Sequence, residues 1–288
     1  MFTGAYTAIV TPFNADGSVD YGKLAALIER QIAGGIDGIV PVGTTGESPT
    51  LDCDEHLRVI ATAVKTCRQR IKVIAGTGAN ATREALELTR AAKDCGADGT
   101  LQVTPYYNKP NQEGLFRHFQ AVADLGLPVV LYNIPGRCGV EIALDTVARL
   151  SQHPQIVAIK EAAGSVLRVS QILQRCKICV LSGDDPLTLP MMVMGARGVI
   201  SVASNIAPQL VAGLAHAALA GDWSKAQALH QRCFRLFTGI FMDTNPIPIK
   251  AALAMQGLIE EVYRPPLTPL RAEMREELAA ILRELQLL

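Results

Sequence analysis

Of the nine lysines, Lys160 alone closes a continuous apolar run, Ile156-Val157-Ala158-Ile159, and Glu161-Ala162-Ala163-Gly164 follow it. Side chains alternate along an extended strand, so Ile156, Ala158 and Lys160 share one face. If that face lines a low-dielectric interior, burial lowers an ammonium pKa toward ~7 to 8, and the unprotonated amine can attack a carbonyl to form an imine. Taken alone, the position also fits a strand-end lysine that reaches solvent or pairs with Glu161. Lys72, by contrast, begins its apolar run and belongs to the inert end.

Other run ends carry side chains that suit an imine-forming lysine. In the run before Lys160, Val130 and Tyr132 alternate with Val129 and Leu131, which lets Tyr132 point inward beside the lysine and shuttle protons. An earlier run ends in Gly43-Thr44-Thr45-Gly46-Glu47, where glycines allow close backbone approach and amides with hydroxyls can hold a carboxylate, although an ordinary turn reads the same way. Val103-Thr104-Pro105-Tyr106-Tyr107-Asn108 ends in two adjacent tyrosines whose phenols need partners if buried. Ile134-Pro135-Gly136-Arg137 places a guanidinium, the natural partner of a carboxylate, in a loop after Tyr132.

These residues need a scaffold that brings run ends together. Eight short β-branched runs alternate with Ala-rich helical segments: Thr7–Phe13, Ile36–Gly43, Lys72–Thr77, Thr100–Thr104, Val129–Ile134, Ile156–Lys160, Val180–Gly183 and Val199–Ala203. Eight such units close into an α/β (β/α)8 TIM barrel, whose reacting groups sit at the C-terminal strand ends. The barrel is expected over residues 1–221. Residues 222–288 carry no strand signal and read as a C-terminal helical region, with helices over Asp222–Phe237, Pro248–Leu258 and Pro269–Leu287, the last two separated by Pro265, Pro266 and Pro269.

Composition limits the partners. Lys plus Arg equals Asp plus Glu at 27 each, so the net charge gives no long-range attraction to nucleic acid or an acidic membrane surface. Charged residues interrupt every long apolar run, and the absence of Lys and Arg from Met1 to Phe13 argues against a cleaved leader, which makes the cytoplasm the expected location. Seven cysteines without framework spacing read as reduced thiols, including the Cys176-x-x-Cys179 pair.

Other motifs point elsewhere and are set aside. Gly76-Thr77-Gly78-Ala79-Asn80-Ala81 fits a dinucleotide-binding turn, but the following run ends in Thr104 instead of an acidic residue that would hold a ribose. Asp184 and Asp185 could ligate magnesium, yet Pro186 follows, and capping of a helix explains them equally. The five histidines show no H-x-x-x-H spacing for zinc.

Six segments taken in order resemble the pyruvate-dependent class I aldolase superfamily, and within it the dihydrodipicolinate synthase branch, over nearly the whole chain. They are Ala8-Ile9-Val10-Thr11-Pro12, Gly43-Thr44-Thr45-Gly46-Glu47, Val103-Thr104-Pro105-Tyr106-Tyr107-Asn108, Tyr132-Asn133-Ile134-Pro135-Gly136-Arg137, Ile159-Lys160-Glu161 and Asn245-Pro246-Ile247-Pro248-Ile249-Lys250. The resemblance implies that Lys160 forms the imine with pyruvate and that Tyr132, Thr44 and Tyr107 relay protons, Tyr107 reaching in from a neighbouring subunit. It further implies that Thr45 helps hold the keto-acid carboxylate, that the Ile200 carbonyl faces the lysine, and that Arg137 binds the carboxylate of aspartate semialdehyde. The imine nitrogen is the electron sink, so no metal or organic cofactor is expected. Arg137 and the Thr44-Thr45 pair favour the synthase over sugar-acid lyases such as N-acetylneuraminate lyase; Cys138, where the synthases usually have threonine, departs from the pattern. A barrel that merely binds a keto acid is the third reading.

The resemblance also implies regulation and assembly. Ser48, His56, Asn80, Glu84 and Tyr106 match a site for L-lysine as inhibitor, with Asn80 and Glu84 expected on one face at the start of the helix after the third strand. Cys53 stands where inhibited members have a second histidine, and Pro49 replaces a small residue. A shared Tyr107 requires a homo-oligomer, expected as a tetramer, a dimer of dimers closed by the tail helices.

Overall fold

Each apolar run becomes a strand buried on both faces, because the strands lie parallel with helices outside and side chains filling the inside. The computed structural model describes residues 2–288. In chain order the elements are β1 (Gly4–Ala8), α1 (Tyr21–Ala33), β2 (Gly38–Val40), α2 (Cys53–Cys67), β3 (Lys72–Gly76), α3 (Thr82–Asp94) and β4 (Gly99–Val103). There follow α4 (Gln112–Ala123), β5 (Val129–Asn133), α5 (Pro135–Cys138), α6 (Leu144–Leu150), β6 (Ile156–Glu161), α7 (Leu167–Arg175), β7 (Cys179–Ser182), α8 (Thr188–Val193), β8 (Gly198–Ser201) and α9 (Pro208–Leu219). The tail adds α10 (Trp223–Gly239), α11 (Ile247–Met255) and α12 (Ala272–Glu284). The strands close as β1 to β8 in sequence order, with β8 pairing back to β1, a (β/α)8 barrel.

The alternation of the strands divides the core in two. Tyr6, Val40, Leu101, Val130, Ala158 and Leu181 fill the barrel interior. Val129, Leu131, Ile159, Val180 and Val199 face the helices. Helix starts are fixed locally: Asp20 accepts from the Lys23 N–H, Asp52 and Glu55 form a capping box before α2, and Asn111 accepts from the Gly114 N–H before α4.

Several expected boundaries move, two of them with consequences for the site. The first strand is Gly4–Ala8, not Thr7–Phe13: the Val10 N–H turns to the Asn205 side chain, Pro12 has no N–H, and Phe13 packs into the outer core. The helix after β3 begins at Thr82, so Asn80 precedes it and does not share a helical face with Glu84. Among the described residues no helix is long and apolar enough to cross a membrane.

The tail returns over the C-terminal face. Arg264 donates to both carboxylate oxygens of Glu55 and to the carbonyls of Gly17 and Thr50, tying the segment after α11 to loops at the β2 end of the barrel.

Candidate active site

Tyr132 and Lys160 are register partners on β5 and β6, both on the interior face, and the lysine Nζ lies 4.2 Å from the centroid of the tyrosine ring. Lys160 is 5% exposed. Its sequence neighbour Glu161 points the other way, accepting from Arg168 Nε at 3.0 Å, Asn133 Nδ2 at 2.9 Å and the Ala163 N–H at 3.0 Å. The pairing of Lys160 with Glu161 that the sequence left open does not occur. Burial pushes the Glu161 carboxyl above its ordinary range, and the nearby Arg168 charge opposes that rise.

The space beside Lys160 depends on Gly183. A Cβ there would stand 2.6 Å from Ala162 Cβ and 2.9 Å from Lys160 Cε, closer than packed atoms approach. The two aspartates that follow do not cap a helix through their side chains. Instead the fully buried Asp185 accepts from Ser201 Oγ at 2.5 Å and from the N–H groups of Val202 and Ala203 at 2.9 and 3.2 Å, fixing the turn after β8 that begins next to Ile200. Ile200 itself is buried in the barrel interior. Burial raises the Asp184 carboxyl, opposed by the charge of Lys160, and its Oδ2 has no hydrogen-bond partner among the described residues.

The Gly43–Glu47 loop is held in an unusual backbone. Val42 and Glu47 take positive φ angles of 57° and 55°, and the loop lies so close to β3 that a Cβ on Gly76 would sit 2.4 Å from the Val42 carbonyl oxygen. Thr11 Oγ1 donates to the Gly46 carbonyl at 2.7 Å. Glu47 is buried against Lys250, with Oε1 2.5 Å from Nζ, and its Oε2 accepts from the Arg264 N–H at 3.3 Å. Thr45 Oγ1 accepts from Asn245 Nδ2 at 3.0 Å. The loop thereby brings Thr44 to one wall of a small cavity of about 30 Å³ that Tyr132 also lines.

Arg137 lies on the short α5, its Nη2 donating to the Asn245 carbonyl at 3.1 Å. Tyr107 is not brought to this group by its own chain: it takes a φ of 72° and is 92% exposed. Cys138 is buried behind Arg137, and burial pushes its thiol up to about 11.

Ser48, His56, Glu84 and Tyr106 line a cavity of about 600 Å³ together with Pro49 and Cys53. Asn80 is not on that wall; its backbone carbonyl accepts from Asn108 Nδ2 at 2.8 Å. His56 is buried, its Nε2 2.8 Å from the Gly76 carbonyl, and burial lowers its pKa. This cavity and the one at Thr44 and Tyr132 share Ser48 and Gly78. Cys176 and Cys179 are both free thiols, the second inside the barrel.

Sequence reasoning gave no role to Asn245, Lys250 or Glu47. The available signal was a lysine in the apolar helix Ile247-Pro248-Ile249-Lys250-Ala251-Ala252-Leu253, which demands a buried partner.

Comparison with known proteins gives the family. Residues 1–285 match the model of the dihydrodipicolinate synthetase family. The chain is 53% identical over 291 residues to the 4-hydroxy-tetrahydrodipicolinate synthase of Geobacter metallireducens, covering 100% of both. It is also similar to the solved dihydrodipicolinate synthase from Acinetobacter baumannii complexed with pyruvate, at 46% identity, TM-score 0.98 and full coverage of both chains. The lysine-bound enzyme from Cyanidioschyzon merolae matches at 39% identity and TM-score 0.96, covering 100% of this chain and 99% of that one. With residues 1–285 matched by the family model, the chain belongs to the dihydrodipicolinate synthetase family.

Proposed function

We propose that this chain condenses pyruvate with L-aspartate 4-semialdehyde to give 4-hydroxy-tetrahydrodipicolinate, a lyase of the class I aldolase type in lysine and diaminopimelate biosynthesis. The observation that carries the reading is Lys160 enclosed at the barrel mouth over Tyr132, with its neighbouring carboxylate turned away to Arg168. Lys160 Nζ attacks the keto carbon of pyruvate, and loss of water leaves a protonated imine. A methyl proton then leaves to give the enamine, the imine nitrogen taking up the electron pair. The enamine carbon attacks the semialdehyde carbonyl and forms the new carbon–carbon bond. The semialdehyde amine finally attacks the imine carbon, closing the ring and releasing Lys160. Every step is a proton transfer or an addition at an imine or a carbonyl, so this chemistry runs without a cofactor. Tyr132 and Thr44, on one cavity wall, are suited to move the protons. Thr45 and Arg137 supply donors for the two substrate carboxylates, and the Ile200 carbonyl is assigned to face the lysine. The barrel of residues 1–221 and the helical region of 222–288 act as one catalytic unit in the cytoplasm.

A homo-oligomer completes the site. The 92% exposure of Tyr107 supports its insertion into a neighbouring subunit as the third member of the relay. The cavity of about 600 Å³ supports L-lysine binding, with Glu84 as the partner of an ammonium.

A steady-state assay tests the reading. The chain is expected to consume aspartate semialdehyde with pyruvate and to leave N-acetylneuraminate untouched, and Arg137→Ala is expected to lose about 10- to 100-fold in kcat/KM for the semialdehyde, the worth of a hydrogen-bonded charge pair. Cleavage of N-acetylneuraminate instead would overturn the assignment. In the same assay millimolar L-lysine is expected to slow turnover; an unchanged rate would remove the regulatory role.

A further inference from the structure

Lys250 is fully enclosed on α11, and Glu47, its carboxylate partner, is buried as well. The Phe13 and Tyr263 rings lie 4.2 and 5.3 Å from the lysine Nζ, and the Arg264 guanidinium stands 4.5 Å from the same Phe13 ring. Burial pushes the Lys250 ammonium below its ordinary range, and the Glu47 charge opposes that fall. Enclosing two charges costs a desolvation that their attraction rarely exceeds, and an apolar pair of similar volume stabilises a fold as well or better. Stability alone therefore does not account for the pair, and what it holds in place does.

Glu47 ends the loop that carries Thr44 and Thr45. Its φ of 55° is one that residues other than glycine keep only under constraint from their surroundings. The Glu47 N–H donates to the Thr44 carbonyl at 3.1 Å and the Gly46 N–H to the Gly43 carbonyl at 3.0 Å, so the loop is one tight turn that moves with its last residue. Lys250 grips the Glu47 side chain at 2.5 Å, and the Arg264 N–H adds a longer bond at 3.3 Å. We infer that Lys250 is a positioning residue for the first substrate: through Glu47 it sets the turn from which Thr45 meets the pyruvate carboxylate and Thr44 joins the proton relay. This step rests on the function proposed above. With no exposed surface, Lys250 does not meet a substrate itself. Arg137, assigned to the semialdehyde, stands on α5, outside this chain of contacts.

The test separates stability from position. Lys250→Met leaves the Glu47 carboxylate buried without its cation, so this variant is expected to melt well below the wild type. Combining it with Glu47→Gln removes both charges and keeps an acceptor for the Arg264 N–H, so the double variant is expected to recover much of that melting temperature. Borohydride trapping over a range of pyruvate concentrations then reads the loop. The double variant is expected to need about 10- to 100-fold more pyruvate for half-maximal trapping at Lys160, the worth of one hydrogen bond to a carboxylate. Its kcat/KM for aspartate semialdehyde, measured with pyruvate saturating, is expected to fall much less than its kcat/KM for pyruvate. A folded double variant that traps pyruvate at the wild-type concentration would reduce the pair to a structural contact and overturn the inference. Equal falls in kcat/KM for the two substrates would spread the effect over the whole mouth and overturn it as well. Wild-type chain that traps pyruvate but fails to consume aspartate semialdehyde would strike the proposed function instead, a separate result that leaves the trapping comparison intact.

Discussion

Lys160 and Glu161 are adjacent and oppositely charged, yet the alternation of one strand sends the first into the barrel and the second out to Arg168. That separation leaves the amine without a carboxylate neighbour on its own strand, and Gly183 leaves it room. Gly183→Ala is therefore expected to displace the lysine end, and a shift of about 1 Å at a reacting atom costs on the order of 10²-fold in kcat. Circular dichroism and pre-steady-state imine formation check this: a folded variant with normal imine formation would contradict it. The place of Lys160 was legible because period-two alternation and an apolar run are local properties. Asn245 and Lys250 were not, since their partners Thr45 and Glu47 lie 200 and 203 residues away and no local pattern joins them.

At the scale of elements, all eight strands and the three tail helices were legible from runs and breaks, while their ends were set by single groups. Pro41, without an N–H, and Val42, with positive φ, end β2 at Val40, three residues before Gly43. The contact between α3 and α4 carries a pH dependence. His118 is buried on α4, its Nδ1 3.0 Å from Thr82 Oγ1 and its Nε2 unpartnered among the described residues, and burial pushes its pKa down to about 4. The unfolded chain binds this proton near 6.5 and the folded chain only near 4, so stability is complete above pH 6.5 and falls as pH drops toward 4. The loss from this one group is about 2 kcal/mol at pH 5. Urea titrations at pH 7 and pH 5 are expected to show that loss in the wild type and a smaller one in His118→Leu; equal slopes in both would contradict the assignment.

At the scale of the molecule, the fold leaves groups of apolar side chains exposed. The end of α8 and α7 expose Val193, Met194, Leu167 and Leu173, and Gly195 lets the two approach, since a Cβ there would meet Leu173 at 2.7 Å. The tail helix α10 exposes Trp223 and Phe234. We propose that Tyr107 and the α7–α8 face supply contacts of a dimer of dimers, beside the tail helices expected from the sequence. Sedimentation is expected to show a tetramer that Leu167→Asp with Met194→Asp reduces to dimers; a fully active monomer in the wild type would contradict the shared site. Assembly was the least legible property, because one sequence shows which residues are apolar and not which of them the fold leaves outside.

The account stands on Lys160 as the imine-forming amine, and borohydride reduction in the presence of pyruvate tests that most directly. Peptide mass spectrometry is expected to find one carboxyethyl group per chain, on the peptide containing Lys160, and none in Lys160→Ala. An unmodified chain, or an adduct on another lysine such as Lys250, would contradict it.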